Sequence, residues 1–289
     1  MHSFVHSWQV NEAQYVRFVD AAKPFLNIFN LHDKSNKNHR HSLMHDLTTL
    51  QYILVFLAAL FVGFNKAGVS GIDVITVTLL IFIFGARAST GILMPLLLLG
   101  DFMAVIYYHR HAQWKYLFIL LPWMVAGILT GVYLGKNLSE QSFRQWLSII
   151  VLVTTIFMFW WSARKSKTVP DNKIFAGSMG YAAGFTTMVG NVAGAFSNIY
   201  FLAMRLPKEQ FIGTASWLFC IINLIKLPFH IFVWKTISTQ TLLIDLQLVP
   251  VIIIGFLLGV RLLKKTSDKL FRQLVLILTA IGAIVLFLR

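Results

Sequence analysis

Long apolar runs free of charge constrain this chain more than any other feature. They are Leu47 to Asn65, Tyr116 to Gly135, Gln145 to Ala163, Leu246 to Val260 and Gln273 to Leu288, with Ala88 to Tyr108 interrupted only by Asp101. Roughly 20 helical residues cross a hydrocarbon core of ~30 Å, so each run is about one span. The runs lack the two-residue alternation of an outer-membrane barrel, and backbone in lipid must satisfy its own hydrogen bonds. An all-α polytopic membrane protein of about eight to ten segments is expected. The composition agrees: 57% of residues are apolar and 12% charged, and the mean hydropathy is +0.71, values that belong to lipid.

The formal charge of +14 does not point to nucleic acid, because Lys and Arg sit in short connections between apolar runs, where they act as topology signals. The single cysteine, Cys220, lies inside an apolar run and reads as packing, leaving no disulfide framework and no cysteine metal site. Residues 1–46 differ from the rest: they are polar, histidine-rich and too broken by charge to span. Tyr15, Phe18, Val19, Ala22, Phe25, Leu26 and Phe29 recur there at helical spacing, which permits an interfacial helix interrupted by Pro24. The His-x-His pairs His39/His41 and His109/His111 stand in basic connections with no carboxylate or cysteine set beside them, so neither a metal site nor a cofactor is expected.

Compared with itself, the chain repeats. Pro122, Gly127, Gly131, Lys136, Ser139, Phe143, Arg144 and Gln145 recur as Pro250, Gly255, Gly259, Lys264, Ser267, Phe271, Arg272 and Gln273; Gly63 and Phe64 match Gly184 and Phe185, and Gly91 and Asp101 line up with Gly213 and Asn223. The expected organisation is a tail (1–46), a first transmembrane repeat (47–163), a basic linker (164–173) and a second repeat (174–289). Each repeat holds a glycine-rich break, GFNKAGVSGID or GFTTMVGNVAGAFSN, followed by a short apolar segment that either crosses or re-enters. An odd number of passes per repeat turns the second upside down and puts four basic connections on the cytoplasmic side: His109 to Lys115, Arg164 to Lys173, Arg205 to Lys208 and Arg261 to Arg272.

Glycine clusters in mid-span persist where backbone lines a cavity or helices pack closely, and two breaks in matching positions of inverted halves mark a binding site near the midplane. Half-helices starting after each break aim free N–H groups and positive dipole ends at the centre, which favours an anion. The candidate binding residues are Lys66, Gly68, Gly71, Gly190, Asn191, Gly194, Ser197, Asn198, Asn223 and Lys226. Lys66 either supplies positive charge to this pocket or snorkels to the interface. Asp101 and Lys226 lie inside apolar runs, where an ionised group costs at least ~2.5 kcal/mol unless paired or hydrated. They read either as a coupling or gating acid with a substrate-attracting amine, or as an ion pair with each other. His230 is either a second coupling group or a packed, hydrogen-bonded histidine. There is no nucleophile with a base, no phosphate loop and no spaced pair of acids, so an enzyme is not expected.

Over residues 47 to 289 these features resemble the sulfite exporter TauE/SafE family, also grouped as toluene-sulfonate uptake permeases. The resemblance rests on the two breaks, each followed by a helix of the type in RASTGILMPLLLLGD and IGTASWLFCIINLIK, then a short basic loop and a G-x-x-x-G span. It implies a transporter for small sulfur-containing anions with the substrate between inverted halves, and carries the family's glycine-rich breaks onto Gly68, Gly71, Gly190 and Gly194. Ala67, Val69 and Ser70, and Ala193 and Ala195, interrupt the denser glycine pattern of the family. A secondary transporter in a bacterial-type cytoplasmic membrane is thus expected, with a small anion and the lipid bilayer as partners. A coupling proton or sodium ion and a homodimer are compatible with the sequence. The alternatives are an uncoupled anion channel, tested by Asp101→Asn, and a membrane-integral assembly protein whose partner binds the tail.

Overall fold

The computed structural model describes residues 47–69, 72–163 and 173–267, with 269–271, 273 and 277. The tail with His39 and His41, Gly71, most of the 164–173 linker and nearly all of the Gln273 to Leu288 run lie outside the described residues. The described chain is helical, with no strand among its residues. Its helices are α1 (Thr49–Lys66), α2 (Asp73–Phe84), α3 (Ala86–Tyr108), α4 (Trp114–Gly135), α5 (Glu140–Ala163), α6 (Lys173–Gly190), α7 (Gly194–Ala203), α8 (Lys208–Pro228) and α9 (Thr239–Lys264). Five of them (α1, α3, α4, α8 and α9) are long and apolar enough to cross a membrane.

Local chemistry sets the ends. Thr48 and Gln51 form a reciprocal capping box at the start of α1, and Ser238 and Thr241 form one at the start of α9. Each satisfies backbone donors that lipid could not. α1 stops at Lys66 because Gly68 takes φ 112°, a left-handed backbone that side chains rarely adopt. Its released Ala67 carbonyl accepts from Tyr108 Oη at 3.0 Å. α6 stops at Gly190, and Asn191 follows with φ 56° before α7 begins at Gly194. α8 ends in a π turn, Phe229–Val233, just after Pro228, as expected where a proline removes a helical donor.

Two helix pairs approach to backbone contact through glycine. Gly63 of α1 lies under the carbonyl of Ile252, and Gly255 of α9 under that of Leu60. Gly127 of α4 lies under the carbonyl of Tyr181, and Gly184 of α6 under that of Met124. A stripe without Cβ atoms lets dispersion contacts replace the missing hydrophobic drive between helices in lipid.

The helix ends gather at two opposite ends of the bundle. At one, Lys208 Nζ donates to the carbonyls of Leu263 (3.1 Å) and Thr266 (2.6 Å), Gln113 N donates to Thr214 Oγ1 at 2.8 Å, and His111 Nδ1 lies 3.6 Å from Glu209. At the other, Arg87 donates to the carbonyl of Leu138 at 2.7 Å and pairs with Glu140 at 3.7 Å. Trp234 there donates to the Val132 carbonyl at 3.4 Å and packs edge-on against Phe143. The connections holding His109 to Lys115, Arg205 to Lys208 and the described part of Arg261 to Arg272 therefore share the first end. α3 and α9 run towards that end, and α4 and α8 away from it.

Candidate anion site

The two helix breaks face one another across a cavity, walled by Asn65, Lys66, Gly68 and Asp73 on one side and by Thr187, Asn191, Ala193, Gly194 and Asn198 on the other. α3 and α8 complete it, with Asp101 and Asn223 at its inner end and Phe211 and Ile212 near the start of α8.

Asp101 is fully buried and Lys66 nearly so. Lys66 Nζ donates to Asp101 Oδ1 at 2.5 Å, and Asn223 Nδ2 donates to Asp101 Oδ2 at 2.6 Å, so both carboxylate oxygens are engaged. The Lys66 stem reaches this point over Gly100, where a Cβ would lie 2.6 Å from Lys66 Cγ, and its ammonium sits 5.2 Å from the Phe219 ring centre. Asp101 thus pairs with Lys66 and not with Lys226, and Lys66 points into the bundle instead of snorkelling outward. Of the two alternatives the sequence leaves open, the ion pair between Asp101 and Lys226 is not formed: Lys226 lies one turn from the residue aligned with Asp101, but it is Lys66 that the packing of α1 on α3 brings to the carboxylate.

Lys226 is also fully buried, but its ammonium finds no carboxylate. It donates to Asn191 Oδ1 at 2.6 Å, Thr187 Oγ1 at 3.1 Å and Asn223 Oδ1 at 3.2 Å. An amide whose oxygen faces an ammonium has its nitrogen turned the other way. Asn191 Nδ2 is accordingly a buried donor without a partner among the described residues, on a residue that lines the cavity. Asn198 also lines the cavity, and its Oδ1 is a buried acceptor without a partner among the described residues. Buried polar atoms are nearly always satisfied in native proteins, so each of these two calls for a partner, an ordered water or a ligand.

Of the residues expected at the site, the structure brings Lys66, Gly68, Asn191, Gly194, Asn198 and Asn223 to the cavity wall together with Asp101, and keeps Lys226 directly behind Asn191. Three are elsewhere. Ser197 spends its hydroxyl on the Ala193 carbonyl at 2.8 Å, within its own helix. Gly190 faces Leu147. His230 lies beyond the cavity, bonded through Nδ1 to Thr236 Oγ1 at 2.9 Å. His109 bonds the Ile106 carbonyl within its own turn. Sequence reasoning missed Asp73, whose Oδ2 would lie 2.6 Å from a Cβ at Gly194. It also missed Asp245, buried on α9 with neither carboxylate oxygen partnered among the described residues. An acid in the first turn of a helix, like Asp73, reads from sequence as ordinary dipole compensation.

No curated protein and no solved structure matches the chain. Residues 55–286, most of its length, match the sulfite exporter TauE/SafE family. Together with the apolar helices, this match identifies the chain as a multi-pass membrane protein that belongs to the TauE/SafE family, a family of membrane transporters for sulfite- and sulfonate-type anions.

Proposed function

We propose that the chain is a secondary transporter that carries a small sulfur oxyanion, sulfite or a short organosulfonate, across a bacterial-type cytoplasmic membrane by alternating access. The observation that carries this reading is the Lys226–Asn191 pair. One buried ammonium has only neutral partners, and the amide that accepts from it, on a residue lining the cavity between the helix breaks, holds a donor without a partner among the described residues. An oxyanion there accepts from Asn191 Nδ2 and balances Lys226 at one remove. Lys66, already neutralised by Asp101, sets the shape of the wall and keeps Asp101 from repelling the substrate. Asp101 is thereby a positioning group.

The inverted-repeat reading is supported by how equivalent positions meet. Asp101 touches Asn223, and by the offset that relates Gly63 to Gly184, Asp73 corresponds to Gly194, which it also touches. Such self-meeting is the behaviour of residues beside a pseudo-two-fold axis. The equivalent helices α3 and α8 run in opposite directions, as do α4 and α9, in agreement with two halves of opposite orientation. The division into repeats at 47–163 and 174–289 is part of the same proposal.

The lining of α8 extends from Phe211 to Asn223, roughly 18 Å at helical rise, from the basic-loop end to about half the hydrocarbon depth. With basic loops on the cytoplasmic side, the cavity faces the cytoplasm. Its volume of about 50 Å³ corresponds to roughly three to five waters, which suits a compact oxyanion and not an aromatic sulfonate in this conformation. Flux of labelled sulfite into proteoliposomes tests the assignment. Uptake above empty vesicles, competed by methanesulfonate, is expected. Asn191→Asp keeps the left-handed tolerance of the position and exchanges the free donor for an acceptor, so it should lower affinity by roughly 10- to 100-fold, the worth of a charged hydrogen bond. No flux of any small sulfur oxyanion by the unsubstituted protein would refute the assignment.

A further inference from the structure

The described helices sort into two bundles, each built around its own apolar core. Ala58 of α1, Leu80 of α2, Leu96 of α3 and Leu248 of α9 share one core. Leu120 of α4, Ala183 of α6, Phe201 of α7 and Leu218 of α8 share another. The glycine contacts of α1 with α9 and of α4 with α6 lie inside these bundles, whereas α3 and α8 meet between them beside the cavity.

Each bundle reaches across to the other with one cation. At the end away from the basic loops, Arg87, at the start of α3, donates from Nη2 to the carbonyls of Leu138 (2.7 Å) and Gly135 (3.4 Å), where α4 ends, and its guanidinium lies 4.7 Å from the Phe143 ring centre. Glu140 joins the contact, accepting from Arg87 N at 3.2 Å. At the basic-loop end, Lys208, at the start of α8, donates to the carbonyls of Leu263 (3.1 Å) and Thr266 (2.6 Å), where α9 ends. The acceptors are matching positions: the offset that relates Phe143 to Phe271 also relates Gly135 to Leu263 and Leu138 to Thr266. Lys208 stands one residue before the match of Arg87 by the offset of Gly91 and Gly213.

A cation on the freed carbonyls of a helix C-terminus is by itself ordinary capping. Here each cation belongs to one bundle and the helix end it holds to the other, and the two contacts lie at opposite ends of the molecule. The Lys208 contact stands at the cavity's rim, since Phe211, one turn further along α8, lines the cavity, and Leu263 Cδ1 would lie 3.0 Å from a Cβ at Gly68, which also lines it. At the far end, Phe143 and Trp234, both buried, fill the space beside Arg87.

We propose that these two clamps are the gates of the transporter, an inference that rests on the alternating-access reading above. Both hold in the conformation described here; Arg87 releases the end of α4 to open the outer side, and Lys208 releases the end of α9 to open the cytoplasmic side. Contacts of one kind at both ends keep the two open states close in energy, as a reversible cycle needs.

Side-specific labelling tests the clamps without any substrate. Ser216 lines the cavity on α8, so Ser216→Cys, with Cys220→Ala to remove the native thiol, reports water access to it. A membrane-impermeant maleimide is added to right-side-out and to inside-out vesicles holding the full chain. Arg87→Ala should raise labelling from outside by at least about tenfold, the worth of a charged hydrogen bond, and not from inside; Lys208→Ala should do the reverse. Arg87→Lys should keep the reporter protected from outside, because a lysine makes this clamp at the matching turn. Outside labelling that is unchanged in Arg87→Ala, or raised equally from both sides as in a loosened fold, would overturn the gates. If Arg87→Ala does not fold, Glu140→Ala decides: the Glu140 side chain is 57% exposed, its removal should raise outside labelling by about two- to fivefold, and no rise would overturn the outer gate. Sulfite flux with unchanged labelling would remove the gates and leave the transporter; side-specific labelling without flux of any oxyanion would leave the gates and remove the substrate assignment.

Discussion

The two buried lysines differ in what neutralises them, and that difference separates a structural charge from a functional one. Lys66 has a carboxylate at 2.5 Å; Lys226 has two amide oxygens and a hydroxyl. Breaking a buried ion pair strands its partner and costs about 3–5 kcal/mol, whereas removing both charges is often neutral. Lys66→Met and Asp101→Leu should therefore each destabilise the protein by about that amount, and the double variant should recover most of the loss. Unfolding in detergent followed by denaturant titration measures this, and strictly additive effects would contradict the pairing. Sequence alone made Lys66, Asp101, Asn191, Asn223 and Lys226 legible as costly residues in apolar surroundings. It could not assign partners among them, because side chains meet through helix packing and not through spacing along one helix. Ser197 illustrates the same limit: a hydroxyl one turn inside a helix satisfies itself on the carbonyl four residues back.

At the level of elements, the breaks and the glycine contacts carry the architecture. A Cβ on Gly63 or Gly184 would meet the carbonyl oxygen of a neighbouring helix, a backbone atom that cannot rotate away. Gly63→Ala and Gly184→Ala should force α1 from α9 and α6 from α4, each at a cost of about 1–3 kcal/mol. Gly177→Ala is the control: its Cβ would lie 3.2 Å from the side chain of Trp123, which is 49% exposed and free to yield. Because alanine favours helix over glycine by about 0.5–1 kcal/mol, that variant should be neutral or slightly stabilised in the same unfolding assay. The breaks were readable from their glycine density, and the equivalence of Gly63 with Gly184 from the repeat. Which helix each glycine touches was not readable, since G-x-x-x-G spacing states that a close neighbour exists without naming it.

For the molecule as a whole, basic connections at one end, oppositely directed helices and a cavity between the two breaks are the features from which the proposed alternating-access cycle is argued. The all-helical, multi-pass character was legible, because hydropathy is a property of segments; five described helices are long and apolar enough to cross a membrane, against the eight to ten segments expected. The cavity was legible only as an expectation at the two breaks. Its acid, Asp73, was not, because an acid in a helix's first turn looks the same whether it faces water or a second helix start. The central claim is that a small oxyanion sits against Asn191, turned by Lys226, between the two breaks. Selenite has the pyramidal shape of sulfite and a strong anomalous signal. A crystal of the full chain soaked in selenite should give one selenium peak in the cavity, with an oxygen about 3 Å from Asn191 Nδ2, and Asn191→Asp should lose that peak. A selenium peak outside the cavity, or one that survives Asn191→Asp unchanged, would contradict the claim.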